Sequence, residues 1–255
     1  MRSISETLSL MIVSSVAIFT ALAIFYATLY FNDITNASLE YGRMKFIFKD
    51  LAVKLDELVS GYTFTYTYPS TMIGVGFRIL DYSVTFSITF INGTTTDLSI
   101  GNFYSLRAEL SKIVISTQSI VYGETSSVLV TKLDEIPVIR EYVENGKTVL
   151  ELSLNKIKYS IYKLETINTS EYVIEVYIIR INKPEIVGNK MIKVYAIPNT
   201  ELTKTYANVS SLEIIVNNEV IATSDQLFSS VGLNPQDIEY FTLQLRVIEV
   251  FISVY

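Results

Sequence analysis

Few residues in this sequence could do covalent chemistry, and they are scattered. Histidine and cysteine are both absent. No Ser–His or Cys–His nucleophile can therefore form, and no disulfide framework exists. Two options remain: a Ser–Lys dyad from Ser126-Ser127 and Lys132, and a carboxylate pair at Asp134-Glu135. Both also read as ordinary strand-edge residues. Gly74-Val75-Gly76 lacks the third glycine and following helix of a nucleotide loop. Asp225 and Asp237 stand too isolated for a calcium loop. The expectation is a chain that is not an enzyme and needs no cofactor and no metal.

Modification chemistry has more candidates. Four N-x-S/T triplets occur, at Asn36-Ala37-Ser38, Asn92-Gly93-Thr94, Asn168-Thr169-Ser170 and Asn208-Val209-Ser210. Asn36, Asn92, Asn168 and Asn208 are thus candidate glycosylation sites, each with an alternative reading as plain turn chemistry. Net charge is −6 with pI near 4.9, and no basic stripe exists to displace phosphate counterions. Nucleic acid is excluded as a partner on that ground.

The element that must carry these residues begins the chain. Thr7 to Asn32 is 26 residues without a charged side chain, bracketed by Arg2 and Glu6 before and Asp33 after. About 20 helical residues cross a bilayer, and backbone amides in hydrocarbon must bond within their own helix. The run therefore reads as a membrane-spanning helix. It is too long, and lacks the small-residue exit site, for an ordinary removable signal. Ser14, Ala17 and Ala21, with Ala23 and Ala27 on another face, have the small-xxx-small spacing that lets helices approach closely. Beyond Asn32, Leu39, Ile47, Leu51, Leu55 and Leu58 recur at helical spacing among charges. Gly42 is the expected kink and Ser60-Gly61 the stop. A continuous helix from Ile4 to Val59 would be about 80 Å long.

From Gly61 to Tyr255 period-two alternation takes over. Tyr82, Val84, Phe86, Ile88 and Phe90 alternate with Ser83, Thr85, Ser87 and Thr89, predicting a strand with one buried face. Asn92-Gly93 and Asn145-Gly146 predict type I′ hairpin turns, and Asn217-Asn218 a third connection. Further strands are expected at 62–68, 113–121, 127–133, 156–164, 172–181 and 191–197, with helical turns at 104–112 and 225–231. In the last strand the apolar residues hold odd positions to Val247 and even ones from Ile248. One inserted residue would flip the buried face, so a β-bulge is expected there. The fold class is α+β: a long N-terminal helix, apolar then amphipathic, followed by an antiparallel, sandwich-like β head in one or two stacked subdomains.

Arg2-Ser3 followed by Ile4-Ser5-Glu6 and a long apolar helix resembles the class III signal of archaeal type IV pilins and archaellins. The resemblance implies that a prepilin peptidase cuts between Ser3 and Ile4 and leaves the helix in the mature chain. It implies a membrane-inserted precursor, an assembly machinery, and a homo-oligomeric helical filament at the cell surface serving adhesion or cell contact. In that setting Glu6 would pair with the new α-amino group of a neighbour's Ile4. Its other reading is a carboxylate favouring its own helix N-terminus. The alternative class is a single-span anchored β-sandwich that binds a surface layer or serves as a stator-like part of a motility or secretion machine.

Overall fold

A computed structural model describes residues 2–68, 72–165, 170–182, 185–188 and 191–255, with side chains from Leu8 onward apart from Ser170. Helix α1 runs Arg2–Val53 and α2 Leu55–Val59. The helix runs through Gly42 without a break. The irregularity falls at Lys54, where the amide still bonds Asp50 O at 3.0 Å, so the rod continues almost without a break. Gly42 is tolerated because a buried turn on either side holds it. The stop lies at Ser60-Gly61, as expected, with Gly61 at φ +98°.

The strands in chain order are β1 (Phe64–Thr67), β2 (Ile73–Ile79), β3 (Val84–Phe90), β4 (Thr95–Ile100), β5 (Tyr104–Leu110), β6 (Ser119–Tyr122), β7 (Leu129–Val130), β8 (Val138–Glu144), β9 (Lys147–Ser153), β10 (Ile157–Glu165), β11 (Ser170–Ile181), β12 (Glu185–Ile186), β13 (Met191–Pro198), β14 (Lys204–Val216), β15 (Glu219–Thr223) and β16 (Phe241–Val254). Helix α3 (Ser224–Ser230) precedes β16 and ends before Gly232, at φ +79°. The sheet runs β4-β3-β14-β16-β11-β5-β9-β8-β6. Pairing among the described residues is antiparallel except at β11–β16, β12–β16 and β7–β10. The layout is α+β, with a long helix and a β-sandwich-like head.

Strand β16 corrects the expected bulge. It runs unbroken beside β11, from Tyr172↔Phe241 to Ile181↔Val250, with no shift of register. Instead, the two apolar series point to opposite faces of one sheet, and each face has its own core. Phe241, Leu243, Leu245 and Val247 join one cluster; Ile248, Val250 and Ile252 join the other. Strand β11 changes over at the same rung, since Ile174, Val176 and Ile178 lie in the first cluster and Ile179 and Ile181 in the second. A parallel in-register pair keeps side chains at one level on one face, so both strands switch together.

Other local expectations fare unevenly. Of residues 104–112, Tyr104–Leu110 form β5 rather than a helical turn. Leu106, Ala108 and Leu110 are buried at period two between β2 and β9, and two ladders outweigh the helix preference of Arg, Ala, Glu and Leu. Of the stretch 113–121 only residues 119–121 are extended in a ladder, as part of β6, and of 127–133 only Leu129–Val130. Asn145-Gly146 is the expected two-residue turn with both φ positive, and so is Asn217-Asn218. Asn92-Gly93 is not. There only Gly93 has positive φ, and the amide of Phe90 bonds Thr94 O while that of Gly93 bonds Phe90 O. This is a three-residue loop with a left-handed glycine.

Candidate assembly surface

The outer half of α1 is an integral part of the head. Ala37, Tyr41, Met44, Phe48 and Leu51, continued in α2 by Leu55 and Leu58, alternate by four and three residues along one face, and all are buried in one core, with α1 against β5 and β8 and α2 against β13. That spacing keeps one stripe of a helix facing one partner. Leu39, expected on this face, is 61 % exposed. Position 39 lies about 200° around the helix from Ala37 at 100° per residue, so the same turn cannot bury both.

Polar ties fix the docked face. Glu141 on β8 is only 8 % exposed and accepts from Tyr41 Oη at 2.6 Å, Lys45 Nζ at 2.9 Å and Ser119 Oγ at 2.5 Å. Burial raises the pKa of this carboxyl, but the three donors outweigh it and hold it below the usual carboxylate range. Burial and the bond to Glu141 push the Tyr41 phenol far above its ordinary value, so it stays a donor. Nearer the apolar run, Lys112 Nζ reaches Asp33 Oδ2 at 2.8 Å. Lower down, Tyr66 Oη donates to Asp50 Oδ2 at 2.9 Å.

The inner half of α1 has nothing against it. Every side chain from Leu8 to Asp33 is exposed. The helix is long and apolar enough to cross a membrane. Its hydroxyls are turned inward: Ser14 and Ser15 donate to Met11 O at 3.0 and 2.8 Å, Thr20 to Val16 O and Thr28 to Ile24 O at 2.8 Å each. Such back-bonding satisfies a hydroxyl in an apolar medium. Ser14, Ala17 and Ala21 are exposed and lie along one side of the helix. Ser3, Ile4 and Glu6 lie within the helical backbone, and their side chains are not among those described.

A second apolar stripe runs along the exposed side of the docked half. Leu39, Phe46 and Val53 are 61, 68 and 63 % exposed and stand seven residues apart. The same heptad position carries Met11, Ile18 and Phe25 in the membrane-length half. This bare stripe escaped the sequence reading, which placed Leu39 on the buried side. The seven-residue spacing was the available signal.

The glycosylation candidates fall in three settings. Asn36 and Ser38 are exposed on α1, on either side of the buried Ala37. Asn92 and Asn208 are brought together: the amide of Ile91 bonds Asn208 O at 3.1 Å. Asn92 Oδ1 accepts from the Thr94 amide and hydroxyl at 3.0 and 2.7 Å. Asn208 has φ +56° at the bend where β14 leaves β16 and joins β3. Asn168 lies outside the described residues.

Of the catalytic candidates, Ser127, Asp134 and Glu135 line one cleft, and the lysine there is Lys156 rather than Lys132. Ser126 Oγ donates to Glu124 Oε1 and Ser127 Oγ to Leu129 O. Neither hydroxyl is paired with a lysine. Comparison with family models, curated proteins and solved structures returned no match.

Proposed function

We propose that this chain is a structural subunit of a type IV pilus-like surface filament. Its helix packs with copies of itself into the core, and its β head forms the outer wall for adhesion or cell contact. The observation that carries this reading is the reach of the bare apolar stripe. Leu8 to Phe31 is about 36 Å of helix, already enough for a hydrocarbon layer of about 30 Å. Yet exposed apolar side chains continue at Leu39, Phe46 and Val53, roughly 33 Å farther along the rod. Lipid does not extend that far, whereas a neighbouring helix does. A large apolar surface on a rigid element marks an interaction site. Ser14, Ala17 and Ala21 then serve as points of close helix approach, and Glu6 as the polar contact to the next subunit's amino end after cleavage between Ser3 and Ile4.

A second reading has one specific observation in its favour. Phe25, Tyr26, Tyr30 and Phe31 cluster at the outer end of the span, where aromatic side chains favour the membrane boundary. A single-span anchored β-sandwich, binding a surface layer or serving as a stator, would use the same belt. Electron microscopy of sheared surface material separates the two. Helical filaments containing this chain, with a mature amino terminus at Ile4 by mass spectrometry, support the first. A chain that begins at Met1 and stays with the membrane fraction refutes it.

A further inference from the structure

We propose that the cleft around Lys156 binds a neutral polyhydroxylated ligand, one sugar ring in size. The cleft has a volume of about 310 Å³ and is lined by Tyr122, Gly123, Glu124, Ser127, Asp134 and Lys156 among others. Ligand pockets begin at about 300 Å³. No residue of the long helix contributes to it, and the proposal does not rest on the filament reading.

The observation pointing to a ligand is Lys156 itself. It is 6 % exposed, lines the cleft, and makes no hydrogen bond or ion pair with any described residue. Its stem is buried while its ammonium stays open to the cleft, so acceptors for it must come from what fills that space. Burial accordingly lowers its pKa, with the fields of Glu124 and Glu135 opposing the shift. The side chains of Tyr122 and Asp134 also line the cleft, and neither makes a side-chain hydrogen bond with a described residue. An ammonium donor on a buried stem, a phenol and a carboxylate acceptor thus line one space.

The walls are held in place. Glu135 accepts from the amides of Thr131 and Lys132 at 3.2 and 3.3 Å, fixing the turn that carries Asp134. Gly123 has φ +77°, and a Cβ there would come within 2.2 Å of Pro137 O, so the rim loop is seated against the backbone beside β8.

Charge selects the class. Three carboxylates against one ammonium disfavour an anion. The carboxylates do not gather into a group able to hold a metal ion among the described residues. An apolar ligand would leave Lys156 unpaired. A hydroxyl both donates and accepts, so one polyol ring can accept from Lys156 while donating to Asp134.

The test uses the full chain in lauryldimethylamine oxide micelles, a detergent without a sugar head. Saturation-transfer NMR is run with methyl glucoside, methyl galactoside, methyl mannoside and N-acetylglucosamine. At least one is expected to bind. Lys156→Met should weaken it by about tenfold, and Asp134→Ala, at an exposed position, should weaken it by about threefold without disturbing the fold. Should Lys156→Met unfold, Asp134→Ala carries the test. Absence of binding by all four sugars, binding by both variants equal to the parent's, or displacement by inorganic phosphate or glycine would each overturn the assignment.

Discussion

Replacing Glu141 by Ala should loosen the rod from the head. This carboxylate joins Tyr41 and Lys45 of α1 to Ser119 of the sheet, and its side chain is 11 % exposed. Hydrogen bonds to a buried charge are worth about 1.5–3 kcal/mol, and an orphaned buried phenol costs about 1–3. Lys45 is one-third exposed and regains water, so its share is under about 1 kcal/mol. The net loss is about 3–4 kcal/mol. For a head of this size that corresponds to a fall in Tm on the order of 10 °C. Near-UV circular dichroism in micelles reads the loss through the tyrosines. Glu141→Gln, which keeps the shape and an acceptor, should cost about 1–2 kcal/mol. The pH dependence supplies a second check. The folded carboxyl titrates below its unfolded value, so its stabilisation is complete at neutral pH and is lost as pH falls through the folded value. Wild type should therefore lose its advantage over Glu141→Gln as pH drops below about 5. A Tm change under about 2 °C in Glu141→Ala, or a Tyr41→Phe/Glu141→Gln cycle that is additive, would show that apolar contact alone seats the helix.

Phe46→Glu should leave monomer stability within about 0.5 kcal/mol, because the ring is 68 % exposed, yet abolish filaments in electron micrographs. Unchanged filaments would remove the bare stripe from the assembly surface. Arg180 donates to Glu249 at 3.2 and 2.5 Å, and the two side chains are only 13 and 11 % exposed; Arg180→Met should cost about 3–5 kcal/mol in urea unfolding, far more than the loss of an exposed pair. Burial raises the Glu249 pKa, but Arg180, Asn199 and Asn182 outweigh it, so this stabilisation too is lost on acidification. Gly123→Ala combines a left-handed φ with a backbone clash, so a loss of about 2 kcal/mol or more is expected by the same assay, and a neutral result would mean the rim loop is not seated on Pro137.

Much of the fold was legible because it follows from local pattern. The charge-free run, the stop at Gly61, the alternation through Phe86 and Ile88 and the Asn145-Gly146 turn each follow from residues within a few positions of one another. Asn92-Gly93 misled because the same dipeptide serves two hairpin loops, and the side-chain bonds of Asn92 to Thr94 accompany the longer one. Tyr104–Leu110 misled because helix-favouring residues sit in a strand held from both sides. The cleft at Lys156 was out of reach, since it draws on residues from Tyr122 to Lys156 that only the tertiary fold brings to one place.

The amino-acid sequence by itself marked out the apolar surfaces: the uncharged rod, one face of each strand, and both parities of the last strand in succession. It could not say what covers them. Only the tertiary structure decided that Val247 and Ile248 face separate cores rather than flank a bulge, that Tyr41 rather than Leu39 meets the head, and that a lysine is buried beside three carboxylates. The reason is that periodicity records the direction of a side chain about its own axis, whereas the identity of its neighbour depends on chain segments as much as a hundred residues away.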